Sequence, residues 1–216
     1  MTKGRRLSCV VVLLVFACAC SDTGGAASGP AGGASYQELV KVARHDPASV
    51  DFTQLRTAWT RSQEYDPFYR DSAEFTELFN ALQAIATSEE APVESPCTAV
   101  PNQLFTDTLI HLLCANLAGA TGDLAAEKFH GAVLDGLLRS IGGNGGMVRG
   151  SREITVVSAY EQAEYLRRSP FTIIEPLGDQ AAQAETVVVV NEDGERATLR
   201  FREHPQYVSH KAERHR

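Results

Sequence analysis

The sequence predicts an α+β protein: an N-terminal helical region, followed by a small, mostly antiparallel sheet with one helix. Apolar residues recur at helical spacing through residues 35–142, which indicates amphipathic helices. Beyond residue 153 the apolar residues form short runs, several of them rich in β-branched residues, separated by turn residues. A glycine-rich run at 143–152 lies between the two patterns, and we interpret it as a linker.

The first twenty residues are typical of an export signal rather than of the fold. Three basic residues precede an apolar run at 10–17, which is too short to span a membrane. The run ends at Cys20, which follows small residues, as in a bacterial lipobox. We therefore predict a signal peptide over 1–20 and a lipid (palmitate) anchor on Cys20. The alternatives are lipidation of Cys18 and an ordinary secretory signal.

Residues 21–34 contain mainly Gly, Ala and Ser, so they predict a flexible tether between anchor and domain. This order indicates a lipoprotein held at a bacterial cell-envelope membrane. Ser21 after the cysteine favours the outer membrane, facing the periplasm. Removing 1–19 takes away three basic residues and no acidic ones, which changes the formal charge from −7 to −10. Such a charge argues against a nucleic-acid partner.

Three helices are predicted before residue 90. The first covers 35–44, and the second covers 52–61 with Asp51 as its N-cap. Asp71 and Glu74 have the spacing of a capping box and predict that a third helix begins there. Four aromatic residues in the second helix and the loop after it predict core and loop packing, with a ligand-facing patch as the alternative: Trp59, Tyr65, Phe68 and Tyr69.

Residues 105–141 predict an antiparallel pair of helices around a turn at Gly119–Gly122. Asp123 can cap the second helix, in which His130 falls on the apolar stripe. In the first helix, Asp107 and His111 fall on the polar face. The pair resembles one tetratricopeptide unit, and a single unit must pack on something else.

Glu127 and His130 are the candidate metal ligands of this hairpin. Their spacing, E-x-x-H, occurs in di-iron bundles. His111 lies as far from the turn as His130 does. However, Asp107 and His111 are predicted to lie on the polar face of their helix, whereas His130 lies on the apolar face of the next helix. We therefore predict no metal and no cofactor, and interpret His130 as a core residue hydrogen-bonded to a neighbour such as Glu127.

Cys97 and Cys114 are the cysteines that remain once 1–19 are removed and Cys20 is lipidated. Two cysteines in an oxidising compartment predict a disulfide. The alternative is a pair of buried free thiols. A disulfide would attach the proline-rich segment 91–101 to the first helix of the hairpin.

The region 153–203 predicts the sheet. A strand at 154–157 precedes Ser158 and Glu161, whose spacing predicts a capping box and a helix that ends near residue 168. Three further strands are predicted at 171–174, 186–190 and 197–201. Residues 204–216 hold histidines among basic residues, and we predict a disordered tail.

Three segments carry a resemblance to a known family: DFTQLRTAW with the following Tyr65-Asp66-Pro67, FHGAVLDGLLRSI, and ITVVSAYEQAEYL. Over residues 36–202 the chain resembles a bacterial family of exported proteins catalogued as a domain of unknown function. The resemblance implies a tetratricopeptide-like helical half and a small sheet, and it implies no activity. The chain departs from the pattern around Cys97 and in its basic tail.

These observations favour a non-enzymatic lipoprotein whose helical region presents a groove to a protein or peptide partner. The sequence contains no G-x-S-x-G elbow and no phosphate-binding glycine loop. The alternatives are a hydrolase or metal-dependent enzyme whose site is assembled in three dimensions, and a purely structural lipoprotein.

Overall fold

The helical region contains five α-helices in the computed structural model, which describes residues 33–88, 95–142, 150–179 and 184–216. The predicted signal peptide, Cys20 and most of the tether lie outside these residues. Short 3-10 turns at Pro47–Ser49, Tyr69–Asp71, Pro96–Ala99 and Asn102–Leu104 connect the helices. The helices are α1 (Tyr36–His45), α2 (Phe52–Trp59), α3 (Ala73–Ala86), α4 (Thr108–Thr121) and α5 (Leu124–Gly142).

Local side-chain caps explain where these helices begin. Asp51 accepts hydrogen bonds from the amides of Thr53 and Gln54, which confirms its predicted role as the N-cap of α2. The prediction for α3 was wrong, because Ser72 is the cap and its hydroxyl accepts from the amide of Phe75. The Asp71 carboxylate instead binds Tyr160 and Arg214.

The second region is a four-stranded sheet with the order β1-β4-β3-β2. β1 runs parallel to β4, and the other two pairs are antiparallel. The predicted α+β class, with a small, mostly antiparallel sheet, is therefore confirmed. The elements are β1 (Gly150–Val156), α6 (Glu161–Arg168), β2 (Phe171–Asp179), β3 (Ala184–Asn191) and β4 (Arg196–Glu203).

One face of the sheet forms a second hydrophobic core. Alternate residues of β1, β3 and β4 are buried there, as the two-residue period of a strand requires. Ile141 at the end of α5 and Tyr165 of α6 pack on the same face. Residues 150–152 belong to β1, so the predicted linker is too long at that end, and 143–149 lie outside the described residues.

The aromatic residues near the end of α2 belong to the helical core. Trp59 and Tyr65 meet edge to face with ring centroids 4.9 Å apart, and Tyr69 lies 5.6 Å from Trp59. All three are buried, while Phe68 is half-buried. The packing interpretation of this cluster is confirmed.

The prediction of a disordered tail was wrong, because a further helix, α7 (Pro205–Arg214), follows β4. His204 caps it, and Pro205 occupies the first helical position. Tyr207 packs against Phe68, and His210 lies edge-on to Tyr65 at 5.2 Å. These contacts with residues 65–68 stabilise α7. Its apolar residues alone are too few to predict a helix.

A buried ion pair connects the helical region to the sheet region. The Arg56 guanidinium donates to both carboxylate oxygens of Glu161, at 2.9 and 2.6 Å. Arg56 also donates to the carbonyls of Ser140 and Thr155, at the end of α5 and in β1. The predicted capping box of Ser158 and Glu161 was wrong: α6 begins at Glu161, whose carboxylate accepts from the amide of Val157.

A second buried network surrounds Arg70. Its guanidinium donates to both oxygens of Asp107, at 2.7 and 3.2 Å, and to Glu164 at 3.2 Å. Asp107 is fully buried, so its predicted position on the water-facing side of the helix was wrong. The physical reason is that Arg70, from a distant part of the chain, neutralises the carboxylate and supplies its hydrogen bonds.

Candidate functional site

The α4–α5 hairpin brings two histidines together at equal distances from its turn. Asp107 begins α4 by accepting hydrogen bonds from the amides of Leu109 and Ile110, and His111 follows one turn later. Gly122, in the left-handed conformation at φ 79°, ends α4 and reverses the chain. His130 of α5 then lies opposite His111.

The two histidines form a buried hydrogen-bonded pair. Their Nδ1 atoms are 3.0 Å apart, and His111 Nε2 lies 3.0 Å from the carbonyl oxygen of Phe105. Because a carbonyl only accepts, Nε2 of a neutral His111 carries the proton and its Nδ1 is an acceptor. His130 therefore donates through Nδ1–H. A hydrogen bond with the Cys97 backbone also acts on His130 and raises its pKa against the larger lowering by burial.

Burial keeps this pair neutral. Burial and, to a smaller extent, the neighbouring His130 lower the pKa of His111 to about 3. Burial also lowers the pKa of His130 to about 4, together with the positive charge of Arg44. At neutral pH neither imidazole carries a charge, so the tautomers above are the ones that a ligand would meet.

We expect the free energy of unfolding to fall by about 2–4 kcal/mol between about pH 7 and pH 5. The unfolded histidines bind protons below about 6.5, whereas the folded pair binds them near 3 and 4. The unfolded chain therefore holds more protons in this window, and stability decreases as the pH falls. Urea denaturation at a series of pH values measures the slope.

The double variant His111→Gln/His130→Gln should have a much flatter pH dependence over the same window. His45→Gln, which changes an exposed histidine, is the matched control and should keep the wild-type slope. An unchanged slope in the double variant would show that other groups cause the effect.

His130 lines a cavity of about 360 Å³ beside the hairpin. Half of its lining residues are apolar, including Phe105, Phe129 and alanines of α4 and α5. Arg44 and Asp123 supply one positive and one negative charge to the lining, and both act electrostatically on His130. The volume is in the range of small-ligand sites, which combine apolar walls with a few polar groups.

Arg44 is held at this cavity by contacts with the segment that precedes α4. Its Nη2 donates to the carbonyl of Val100 and to Oδ1 of Asn102 at 3.0 Å, and the guanidinium lies 5.0 Å from the Phe105 ring centroid. Within the described residues, both hydrogen bonds use Nη2. Nη1 and Nε can therefore donate to a bound acceptor.

A disulfide joins Cys97 to Cys114, with Cα atoms 5.6 Å apart, as the sequence analysis predicts. Cys97 belongs to the cavity wall and Cys114 to α4. The bond therefore holds the segment around residues 95–100 against the hairpin. Closing a loop with a sequence separation of 17 is worth about 3 kcal/mol in the chain-entropy model.

The structure corrects the prediction for His111 and Glu127. His111 is fully buried rather than water-facing, so we expect His111→Gln to destabilise the protein as much as His130→Gln. Glu127 is exposed beside Gly119, while His130 is buried against His111. The E-x-x-H spacing therefore does not bring these two candidate ligands into one buried site. His130 hydrogen-bonds to His111 and to the Cys97 backbone rather than to Glu127.

The equal spacing of the two histidines from the turn was the sequence signal that could have found this pair. The helical period of the apolar residues argued against it, because it placed His111 on the polar face. Arg44, Asp123 and Phe129 carried no such signal. Arg44 comes to the cavity from α1, whereas Asp123 and Phe129 belong to the hairpin itself.

No helix of the described residues is long and apolar enough to cross a membrane. The comparisons with known proteins add no relative: no family model, no curated protein and no solved structure matches the chain. The resemblance noted in the sequence stays a prediction, and function must be argued from the chemistry of the cavity.

Proposed function

We propose that this chain is a lipid-anchored cell-envelope protein that binds a short peptide segment in the cavity beside the α4–α5 hairpin, without catalysing a reaction. The observation that carries the proposal is a cavity of about 360 Å³ whose lining is half apolar and has separate donor, acceptor and charged groups. The export signal and Cys20 supply the expected location.

The chemistry of the lining suits a peptide. A peptide offers an apolar side chain for Phe129 and the alanines, and a carbonyl or carboxylate for Arg44. Asp123 adds a position for a positive group of the ligand. A purely apolar ligand would leave these polar groups without partners, which lowers affinity.

The hydroxyl groups of the lining favour binding over hydrolysis. The Ser95 hydroxyl accepts from the amide of Cys97, Thr98 donates to the carbonyl of Ser95, and Thr121 donates to carbonyls of its own helix. Each hydroxyl thus stabilises local backbone. Nucleophilic catalysis requires a hydroxyl hydrogen-bonded to its base.

A defined tripeptide library tests the proposal on purified full-length protein in detergent. We expect a subset of peptides to bind, as measured by ligand-observed NMR, and to be recovered intact by mass spectrometry. Ala126→Trp places an indole in the cavity wall and should weaken binding at least about tenfold. Ala84→Trp, on the exposed side of α3, is the matched control and should bind like the wild type.

The outcomes separate the candidate functions. Recovery of cleaved peptides that depends on His130 would favour the hydrolase alternative instead. Peptide binding that Ala126→Trp leaves unchanged would show that the cavity is not the binding site. The absence of binding by any peptide would contradict the proposal.

The predicted anchor is tested separately in cells. Cys20→Ser should move the protein from the membrane fraction to the soluble fraction, or leave the signal peptide uncleaved. Cys18→Ser is the control and should keep the wild-type distribution and mass. The reverse pattern would assign lipidation to Cys18.

A further inference from the structure

Three possible metal ligands, two cysteines and one histidine, cluster beside the cavity, and a disulfide joins the two cysteines. Ligand atoms of Cys97, Cys114 and His130 lie within 4.8 Å of one another, and all three residues are buried. Cysteine sulfur and imidazole nitrogen are the ligands that structural zinc sites use. This cluster differs from the Glu127 and His130 pair that the sequence singles out.

We propose that reduction of the Cys97–Cys114 disulfide creates a binding site for a thiophilic d¹⁰ cation such as Zn²⁺, with Cys97, Cys114 and His130 as ligands. The proposal does not depend on peptide binding.

The redox chemistry balances as follows. A dithiol reductant transfers two electrons and two protons to the Cys97–Cys114 bond and is itself oxidised to a disulfide. The S–S bond breaks and two thiols form. Zn²⁺ then replaces both thiol protons, which pass to water, and is bound by two thiolates. While the sulfur atoms are bonded to each other, neither is a thiolate, so the oxidised protein lacks the site.

The spacing requires only a local change. Tetrahedral zinc with Zn–S of about 2.3 Å and Zn–N of about 2.0 Å places its ligand atoms about 3.5–3.8 Å apart. After reduction, the two sulfur atoms must separate to that distance, and a ring nitrogen of His130 lies within 4.8 Å of both sulfur atoms. Cys97 belongs to the segment before α4 and Cys114 to α4 itself, so a shift of the 3-10 turn Pro96–Ala99 can supply the movement.

The histidine pair supplies the outer-shell hydrogen bond that such a site needs. When His130 binds a metal through Nε2, its Nδ1–H must be oriented by an acceptor. His111 Nδ1, 3.0 Å away, is that acceptor, and the carbonyl of Phe105 holds His111 in the required tautomer. In the proposed site, the function of the buried histidine pair is to orient His130 as a metal ligand.

The remaining position of the metal faces the cavity, because Cys97 and His130 both line it. Water or the Asp123 carboxylate, which acts electrostatically on His130, can complete the coordination. Two thiolates favour Zn²⁺ or Cu⁺ over Mg²⁺ and Ca²⁺, which prefer oxygen ligands.

The test uses the full-length chain with Cys9, Cys18 and Cys20 replaced by Ser, so that Cys97 and Cys114 are its only cysteines. Zinc is added to the oxidised protein and to protein reduced by a phosphine, and bound metal is measured after dialysis. We expect about one zinc per reduced chain and none per oxidised chain. Co²⁺ should give thiolate charge-transfer absorption in the reduced protein only.

Substitutions identify the ligands. Cys97→Ser, Cys114→Ser and His130→Gln should each abolish stoichiometric binding, and His111→Gln should weaken it about 10–100-fold. His45→Gln is the exposed control and should bind normally. Zinc bound equally by the oxidised protein, or by the reduced His130→Gln variant, would overturn the proposal.

Thermal unfolding keeps the test decisive if reduction destabilises the chain. Zinc should raise the melting temperature of the reduced protein and leave that of the oxidised protein unchanged. A reduced protein that remains folded by circular dichroism and binds no zinc would also overturn the proposal. Peptide binding by the oxidised protein is assayed separately, so failure of this site leaves the proposed function intact.

Discussion

Glu161→Gln is expected to destabilise the protein by about 3–5 kcal/mol, the range for a buried ion pair that loses one partner. The carboxylate accepts two hydrogen bonds from Arg56 and one from the amide of Val157. Glutamine keeps the volume but leaves the Arg56 charge buried without a counter-ion. Arg56 also donates to carbonyls of α5 and β1, so loss of the ion pair should weaken the contact between the helical region and the sheet region.

Urea denaturation of the purified protein measures this cost. The matched control is Asp135→Asn, which breaks the ion pair of Asp135 and Arg139 at 4.0 Å, with side chains 68% and 61% exposed. An exposed pair of this kind should contribute less than about 0.5 kcal/mol. Equal costs for the two substitutions would show that the Arg56–Glu161 pair does not hold the regions together.

Gly136→Ala should cost about 2–3 kcal/mol, although alanine is the better helix former. A Cβ at this position of α5 would lie 2.3 Å from ring atoms of Phe52. Phe52 begins α2 and is itself buried, so its ring cannot move into water without losing its own burial. The helices must therefore separate or the ring must adopt a strained rotamer.

Gly131→Ala in the same helix is the control, because its Cβ would meet nothing within 4 Å. It should stabilise the protein by about 0.5–1 kcal/mol through helix propensity. Phe52→Leu combined with Gly136→Ala should recover part of the loss by making room for the methyl group. If both glycine substitutions stabilised the protein equally, the close approach of α2 and α5 would be contradicted.

Much of the fold could be predicted because its signals are local. The Asp51 cap, the glycine turn of the hairpin and the β-branched strand runs each act over a few residues. The burial of His130 followed from the apolar residues around it on α5, and Cys97 and Cys114 could be paired by elimination. These parts of the candidate site needed no knowledge of distant contacts.

The rest of the site could not be predicted, because its polar residues are buried by partners far away in sequence. Asp107 and His111 have the periodicity of a solvent-facing side. They are buried because Arg70 neutralises the carboxylate and His130 binds the imidazole. The periodicity of hydrophobic residues predicts which face of a helix is buried. It therefore assigns buried polar residues to the wrong face.

The sequence by itself determined where most helices and strands form, because caps, turns and apolar periods act between near neighbours. Only the tertiary structure decided what the polar side chains do. Glu161 has the spacing of a local cap but binds Arg56, 105 positions away. The tail becomes a helix because Tyr207 packs on Phe68. Removing a polar group from water is costly without a partner, and the partner's position depends on the whole fold.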